Sequence, residues 1–171
     1  DVREMGRATA GVKGIELEVR KDLGGFHRLL TGLTWVFNTS IVTSNVKTTP
    51  KSNLQVQTSN DRALQGQSPY VINTSLDWTN ERWGSFRLLY NTLGRSIDSL
   101  GAYGLPNIYL EPRNQLDFVY TRAFLLYGQN LVFKFSVENI LNDRYLYTQG
   151  GETQERYTTG TVIGAGLSWN Y

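Results

Sequence analysis

Along the last nine residues, 163–171, apolar side chains fall at every second position. Ile163, Ala165, Leu167, Trp169 and Tyr171 share one parity, and Gly164, Gly166, Ser168 and Asn170 share the other. Successive side chains of a strand point to opposite faces, so this is a strand with one apolar face and one small, polar face. The apolar face ends in Trp and Tyr, residues that settle where hydrocarbon meets water.

The same period of two recurs upstream. Ile15, Leu17 and Val19 oppose Glu16, Glu18 and Arg20. Leu29, Leu33, Trp35 and Phe37 form the next set, with Thr31 among them. Tyr70, Ile72, Thr74, Leu76 and Trp78 oppose Asn73, Ser75 and Asp77. Phe86, Leu88 and Tyr90 oppose Arg87 and Asn91, although Leu89 sits on that second face. Leu116, Phe118 and Tyr120 oppose Asp117 and Thr121, and Leu131, Phe133, Phe135 and Val137 oppose Lys134, Ser136 and Glu138. The pattern predicts an all-β chain of about seven antiparallel strands.

Composition narrows what such strands build. Charged residues make up 19% of the chain, below the roughly 25% of ordinary soluble domains. A net charge of +2, without a Lys/Arg cluster, argues against a nucleic-acid partner. There is no Cys and one His, which leaves no disulfide framework and no basis for a zinc site. The longest apolar run is 123–127, far short of the roughly 20 residues of a membrane-spanning helix. In lipid, these strands would have to close into a barrel, the one β architecture that satisfies its backbone there.

Connection lengths alternate. A tight turn is expected at 22–25, a long polar loop at 43–67 and a short link at 79–82. A long Gly- and Pro-containing loop follows at 94–113, then a short turn within 123–129 and a loop of middling length at 148–154. Short turns at one end and long loops at the other is the asymmetry of outer-membrane barrels. The apolar parity would then face lipid. The aromatics Trp78, Trp83, Trp169 and Tyr171 are expected beside the short turns, and Trp35, Phe37, Tyr70 and Tyr90 near the long loops. Lys13 and Lys21 lie on the apolar parity of the first strand, where they would have to snorkel. Seven is an odd number, whereas single-chain bacterial barrels carry an even one. Residues 1–171 are therefore expected to be the C-terminal segment of a larger barrel domain.

Several stretches resemble a known family. They are 64–73 (LQGQSPYVIN), Leu89-Tyr90-Asn91 with Gly94-Arg95-Ser96-Ile97, Glu111-Pro112-Arg113 before Leu116-Asp117, and 137–142 (VENILN). Their order and spacing resemble the C-terminal part of TonB-dependent outer-membrane receptors of the Bacteroidetes type, over residues 62–171. The terminal strand likewise resembles the assembly signal of bacterial outer-membrane barrels, carried here by Ile163, Ala165, Leu167, Trp169 and Tyr171. The resemblance implies a barrel of probably 22 strands in the bacterial outer membrane, placed there by the barrel-assembly machinery. It implies import of a scarce ligand (an iron chelate, vitamin or glycan fragment) with energy from TonB, and a plug domain that these residues do not contain. It implies no cofactor, and the ligand-binding residues stay unknown.

Other motifs carry less. Asn38-Thr39-Ser40 and Asn73-Thr74-Ser75 match the glycosylation triplet but fall in predicted strands. Gly160, Gly164 and Gly166 do not sit between a strand and a helix as a dinucleotide fingerprint requires; they suit lumen space or strand curvature. His27 lies at a turn with no nucleophile in register, so no enzyme is expected. Glu16, Glu18, Arg87, Asp117, Lys134 and Glu138 read as solvated wall charges rather than acid–base pairs. Three alternatives stay open. One is a small stand-alone barrel, with an eighth strand within 1–11, in a structural or adhesive role. Another is a soluble ligand-binding barrel whose apolar parity faces inward, and the third is an enzyme barrel.

Overall fold

The structure, a computed structural model, describes residues 8–48 and 57–170. Seven long strands follow one another in the principal sheet: β1 (Ala8–Asp22), β2 (Leu33–Thr48), β4 (Tyr70–Asn80), β5 (Gly84–Leu93), β8 (Arg113–Leu126), β9 (Gln129–Glu138) and β12 (Val162–Asn170). Each pairs antiparallel with the next. The fold is thus all-β and antiparallel. Among the described residues β1 and β12 are the two edges, and the sheet does not close on itself.

Local chemistry sets the turns at one end. Between β8 and β9, Tyr127 and Gly128 both take positive φ, at 51° and 78°. That two-residue turn has the twist that antiparallel strands need. Between β4 and β5, Asn80 Oδ1 accepts from the backbone N–H of Arg82 at 2.9 Å and of Trp83 at 3.2 Å, so the side chain closes the turn. Between β1 and β2, Asp22 Oδ1 accepts from Gly24 N–H at 2.8 Å, and a single 3-10 turn follows at Arg28–Leu30. Leu29, expected in a strand, lies in that 3-10 turn and is 83% exposed. His27 is its N-cap, with Nδ1 accepting from Leu29 N–H at 3.2 Å.

The connections at the other end depart most from expectation. The first begins later than predicted, because β2 continues to Thr48 alongside Ala8–Lys13 of β1. All three fold into short strands: β3 (Asp61–Arg62), β6 (Ser96–Ser99), β7 (Ile108–Leu110), β10 (Tyr145–Gln149) and β11 (Glu152–Tyr157). The predicted loop at 148–154 is in fact the β10–β11 hairpin, inside a longer excursion from 139 to 161. Strands β6, β7, β10 and β11 form a second sheet in the order β11-β10-β7-β6. The first connection joins it through β-bridges Gln57↔Ala102 and Gln65↔Ile97. The three connections therefore make one cap.

The buried residues sit in or beside this cap. Val46 (7% exposed) and Ile97 (4%) are its apolar core, with Asn107, Asn139 and Thr148 as buried polar residues. Gly94 and Gly101 do not take positive φ; they serve close approach. A Cβ on Gly94 would stand 2.7 Å from Tyr70 Cε1, and one on Gly101 would overlap the Leu105 carbonyl oxygen. Positive φ appears at Asn139 (56°) and Asn142 (47°), where the chain leaves β9 for the cap. Asn tolerates that region better than most residues.

Candidate functional site

Register decides which side chains share a face. Ile15 pairs with Ile41, Val19 with Phe37, Trp35 with Leu76, and Leu76 with Leu88. Leu88 pairs with Phe118, Phe118 with Val137, and Val137 with Ile163. The apolar parity of all seven long strands thus falls on one surface of the principal sheet. Among the described residues no element covers that surface: Ile15, Ile163 and Leu167 on the edge strands are 76%, 70% and 62% exposed, and Leu76 and Leu88 at the centre 42% and 39%. Burying one such side chain stabilises by about 1.5–3 kcal/mol. Covering the whole face is then worth some tens of kcal/mol, more than the roughly 5–15 kcal/mol net stability of a typical domain.

Polar groups on this surface are largely satisfied from within. Trp35 Nε1 donates to Thr74 Oγ1 at 2.8 Å, and Thr74 Oγ1 donates to the Val36 carbonyl at 3.0 Å. Thr39 Oγ1 donates to the Val71 carbonyl at 3.2 Å. Tyr90 OH donates to Asn114 Oδ1 at 2.7 Å. Internal partners of this kind are what a face without water requires.

The aromatics are distributed as follows. Trp78 lies at the short-turn end, its Nε1 donating to the Thr31 carbonyl at 3.2 Å and its ring 5.3 Å from that of Phe86. Trp83 is in the β4–β5 turn under Arg82, whose guanidinium is 5.1 Å from the ring centroid. Trp169 pairs with Leu131 beside the β8–β9 turn. Tyr70 opens β4 directly after the first long connection, and Tyr90 lies toward the same end of β5. Trp35 and Phe37 differ from expectation: β2 runs Leu33–Thr48, so neither is at its long-connection end; Trp35 stands toward the short-turn end, and Phe37 is in the Thr74–Tyr90 row. Ile163, Ala165 and Leu167 pair with Val137, Phe135 and Phe133. Tyr171 lies outside the described residues.

The opposite face is polar. Glu16, Glu18, Arg87, Asp117, Lys134 and Glu138 all have its parity. Across it runs a row the sequence alone did not reveal: Glu18↔Asn38↔Asn73↔Asn91↔Gln115. Asn91 Nδ2 donates to Asn73 Oδ1 at 2.6 Å, Gln115 Nε2 to Asp117 Oδ2 at 3.0 Å, and Arg113 Nη2 to Gln115 Oε1 at 2.8 Å. A cleft of about 180 Å³ follows the row between Asn38 and Asp117. A wider groove of about 450 Å³ lies toward the short turns, lined by the Asp77–Arg87 ion pair, Thr121 and Lys134 among others. Asn38 and Asn73, the two glycosylation-like asparagines, thus sit within strands and belong to this row.

A third hollow, of about 330 Å³, lies under the cap, with Asp61, Arg62, Gln67, Arg95, Asn107 and Tyr109 in its wall. Arg95 is fixed there. Its guanidinium lies 3.9 Å from the Tyr109 ring centroid, Nε is 2.9 Å from Glu111 Oε1, and Nη2 donates to Thr148 Oγ1 at 3.2 Å. Thr148 Oγ1 in turn donates to Glu111 Oε1. Hydrogen bonds also set charge states in the cap. The Asn114 backbone N–H holds the Asp143 carboxyl below its ordinary range, helped by Arg144 N–H. The Asn45 amide and Lys47 do the same for Asp61. Tyr147 is pushed up to about 12 by its hydrogen bond to Tyr157, together with partial burial. No group of three or more metal-ligating side chains occurs among the described residues.

Comparison with protein-family models, curated proteins and solved structures returned no match.

Proposed function

We propose that this chain is wall of a bacterial outer-membrane β-barrel, the C-terminal part of a receptor that imports a scarce ligand with energy from TonB. The observation that carries the membrane reading is the single apolar surface spanning all seven long strands, with no described element covering it and a polar surface behind it. In this reading lipid covers the apolar surface and the polar surface faces the lumen, with its remaining strands and plug. Short turns point to the periplasm and the cap points outward. The import reading rests on the ordered sequence resemblance over 62–171, and the amide row and cap hollow suit a polar ligand.

Fractionation tests the location: the protein should co-purify with the outer membrane and resist carbonate extraction. Recovery in the soluble fraction would sink the reading. Import is tested by deleting the gene and, separately, disabling TonB, which should abolish uptake of the same nutrient. One observation favours the structural or adhesive barrel instead: the three outer connections are knit into a single sheeted cap rather than separate loops. Normal nutrient uptake in the deletion strain, with loss of surface attachment, would select that reading.

A further inference from the structure

Arg122 is out of place on its surface. It pairs with Phe133 on the apolar parity of β8, where its neighbours on β8, two residues to either side, are Tyr120 and Phe124. Those three aromatics and Arg122 alone line a cleft of about 450 Å³ open to the outside of the sheet. The Tyr120 and Phe133 rings meet edge to face at 6.2 Å, so the wall of the cleft is built rather than loose. Arg122 is exposed, and its side chain has no hydrogen bond or ion pair among the described residues. Trp35, Thr39, Thr74 and Tyr90 on the same surface all have partners.

Its level along the strands is also defined. A Cβ on Gly84 would stand 3.1 Å from Arg122 Cα, so Arg122 lies beside the point where the β4–β5 turn re-enters the sheet. Trp83 precedes that point under Arg82, and Phe124, paired with Leu131, lies in the same row as Trp169. Trp at this level marks the boundary between hydrocarbon and headgroups. An unpaired guanidinium in hydrocarbon is costly, but at the headgroup level its planar fork matches a phosphate diester.

Resting on the membrane reading above, we propose that this cleft is a binding site for an anionic phospholipid of the periplasmic leaflet. Arg122 takes the phosphate, Phe133 beside it and Tyr120 on the mid-sheet side take the first part of the acyl chains, and Phe124 on the turn side flanks the headgroup. Charge complementarity selects the occupant: the cleft offers one uncompensated positive charge and otherwise apolar wall. A neutral lipid or detergent would leave that charge unanswered.

The test uses the protein extracted from its membrane in mild detergent and incubated with an equimolar mixture of phosphatidylglycerol and phosphatidylcholine. Bound lipid is read by native mass spectrometry. Wild type should retain phosphatidylglycerol about five-fold over phosphatidylcholine. Arg122→Gln should bring the ratio near one, Arg122→Lys should keep part of it, and Arg156→Gln in the cap should leave it unchanged. Equal preference in wild type and Arg122→Gln overturns the proposal while leaving the membrane reading intact. A wild-type protein that is not in the membrane at all overturns both. If Arg122→Gln does not assemble, quenching of tryptophan by brominated phosphatidylglycerol against brominated phosphatidylcholine in wild type decides. Stronger quenching by the former supports the site, and equal quenching overturns it.

Discussion

The backbone N–H of Gly101 donates to the side-chain oxygen of buried Asn107 at 2.9 Å, and this bond stands at the centre of the cap. Gly101 O accepts from Thr58 N–H at 2.9 Å, so the same residue joins the first and second connections. Removing the acceptor leaves a buried donor unsatisfied, which costs about 1–3 kcal/mol. Asn107→Ala should therefore loosen the cap without disturbing the principal sheet. Hydrogen exchange should rise across 57–66 and 96–110 and stay at wild-type levels in β8 and β9. Uniform protection throughout would contradict this.

Acid should act on the cap through Asp143. Its carboxyl is held below the ordinary range by Asn114 and Arg144 N–H groups. A depressed folded value means that the contribution is present above the unfolded carboxylate range and is lost as pH falls through the lower folded value. Asp143→Asn should show a shallower loss of urea resistance on acidification than wild type. Superimposable acid profiles would count against the assignment.

Tyr147 provides the complementary test at high pH. Its folded value is raised to about 12, so its neutral form contributes stability below the unfolded tyrosine value, and that contribution is lost as pH rises through about 12. The leading cause is the hydrogen bond to Tyr157. Tyr157→Phe should bring one phenolic transition down toward the ordinary value near 10 in an ultraviolet titration. An unchanged titration curve would show that Tyr157 is not the cause.

Parity was the legible part of this fold. Each long strand shows its two faces by alternation, and antiparallel pairing then matches apolar with apolar, as Leu88 with Phe118 and Phe135 with Ala165. Strand ends were less legible. Leu29 has the right parity but lies in the 3-10 turn before β2; the true start at Leu33, with the strand continuing to Thr48, takes Trp35 and Phe37 away from the long-connection end. The cap was not legible at all. A strand such as β11, ETQERY, has no apolar alternation because it is exposed throughout. The amide row from Asn38 to Gln115 depends on the register between strands, which no single strand's pattern contains.

The terminal strand should govern assembly. Trp169 is 63% exposed on the apolar surface of β12, and Tyr171 continues its parity. Replacing either by Asp should leave the protein in the periplasm, where proteases remove it, because a charge would interrupt the terminal pattern that resembles an assembly signal. Outer-membrane levels equal to wild type would contradict that role.

Two adjacent leucines separate the possibilities for which surface meets lipid. Leu88 lies on the apolar surface, between Leu76 and Phe118, whereas Leu89 lies on the polar surface, between Ser75 and Asp117. Folding stability in lipid bilayers should be measured for Leu88→Arg and Leu89→Arg. Lipid on the apolar surface predicts a loss of about 2–4 kcal/mol for Leu88→Arg and under about 1 kcal/mol for Leu89→Arg. Equal losses, or a larger loss at Leu89, would contradict it.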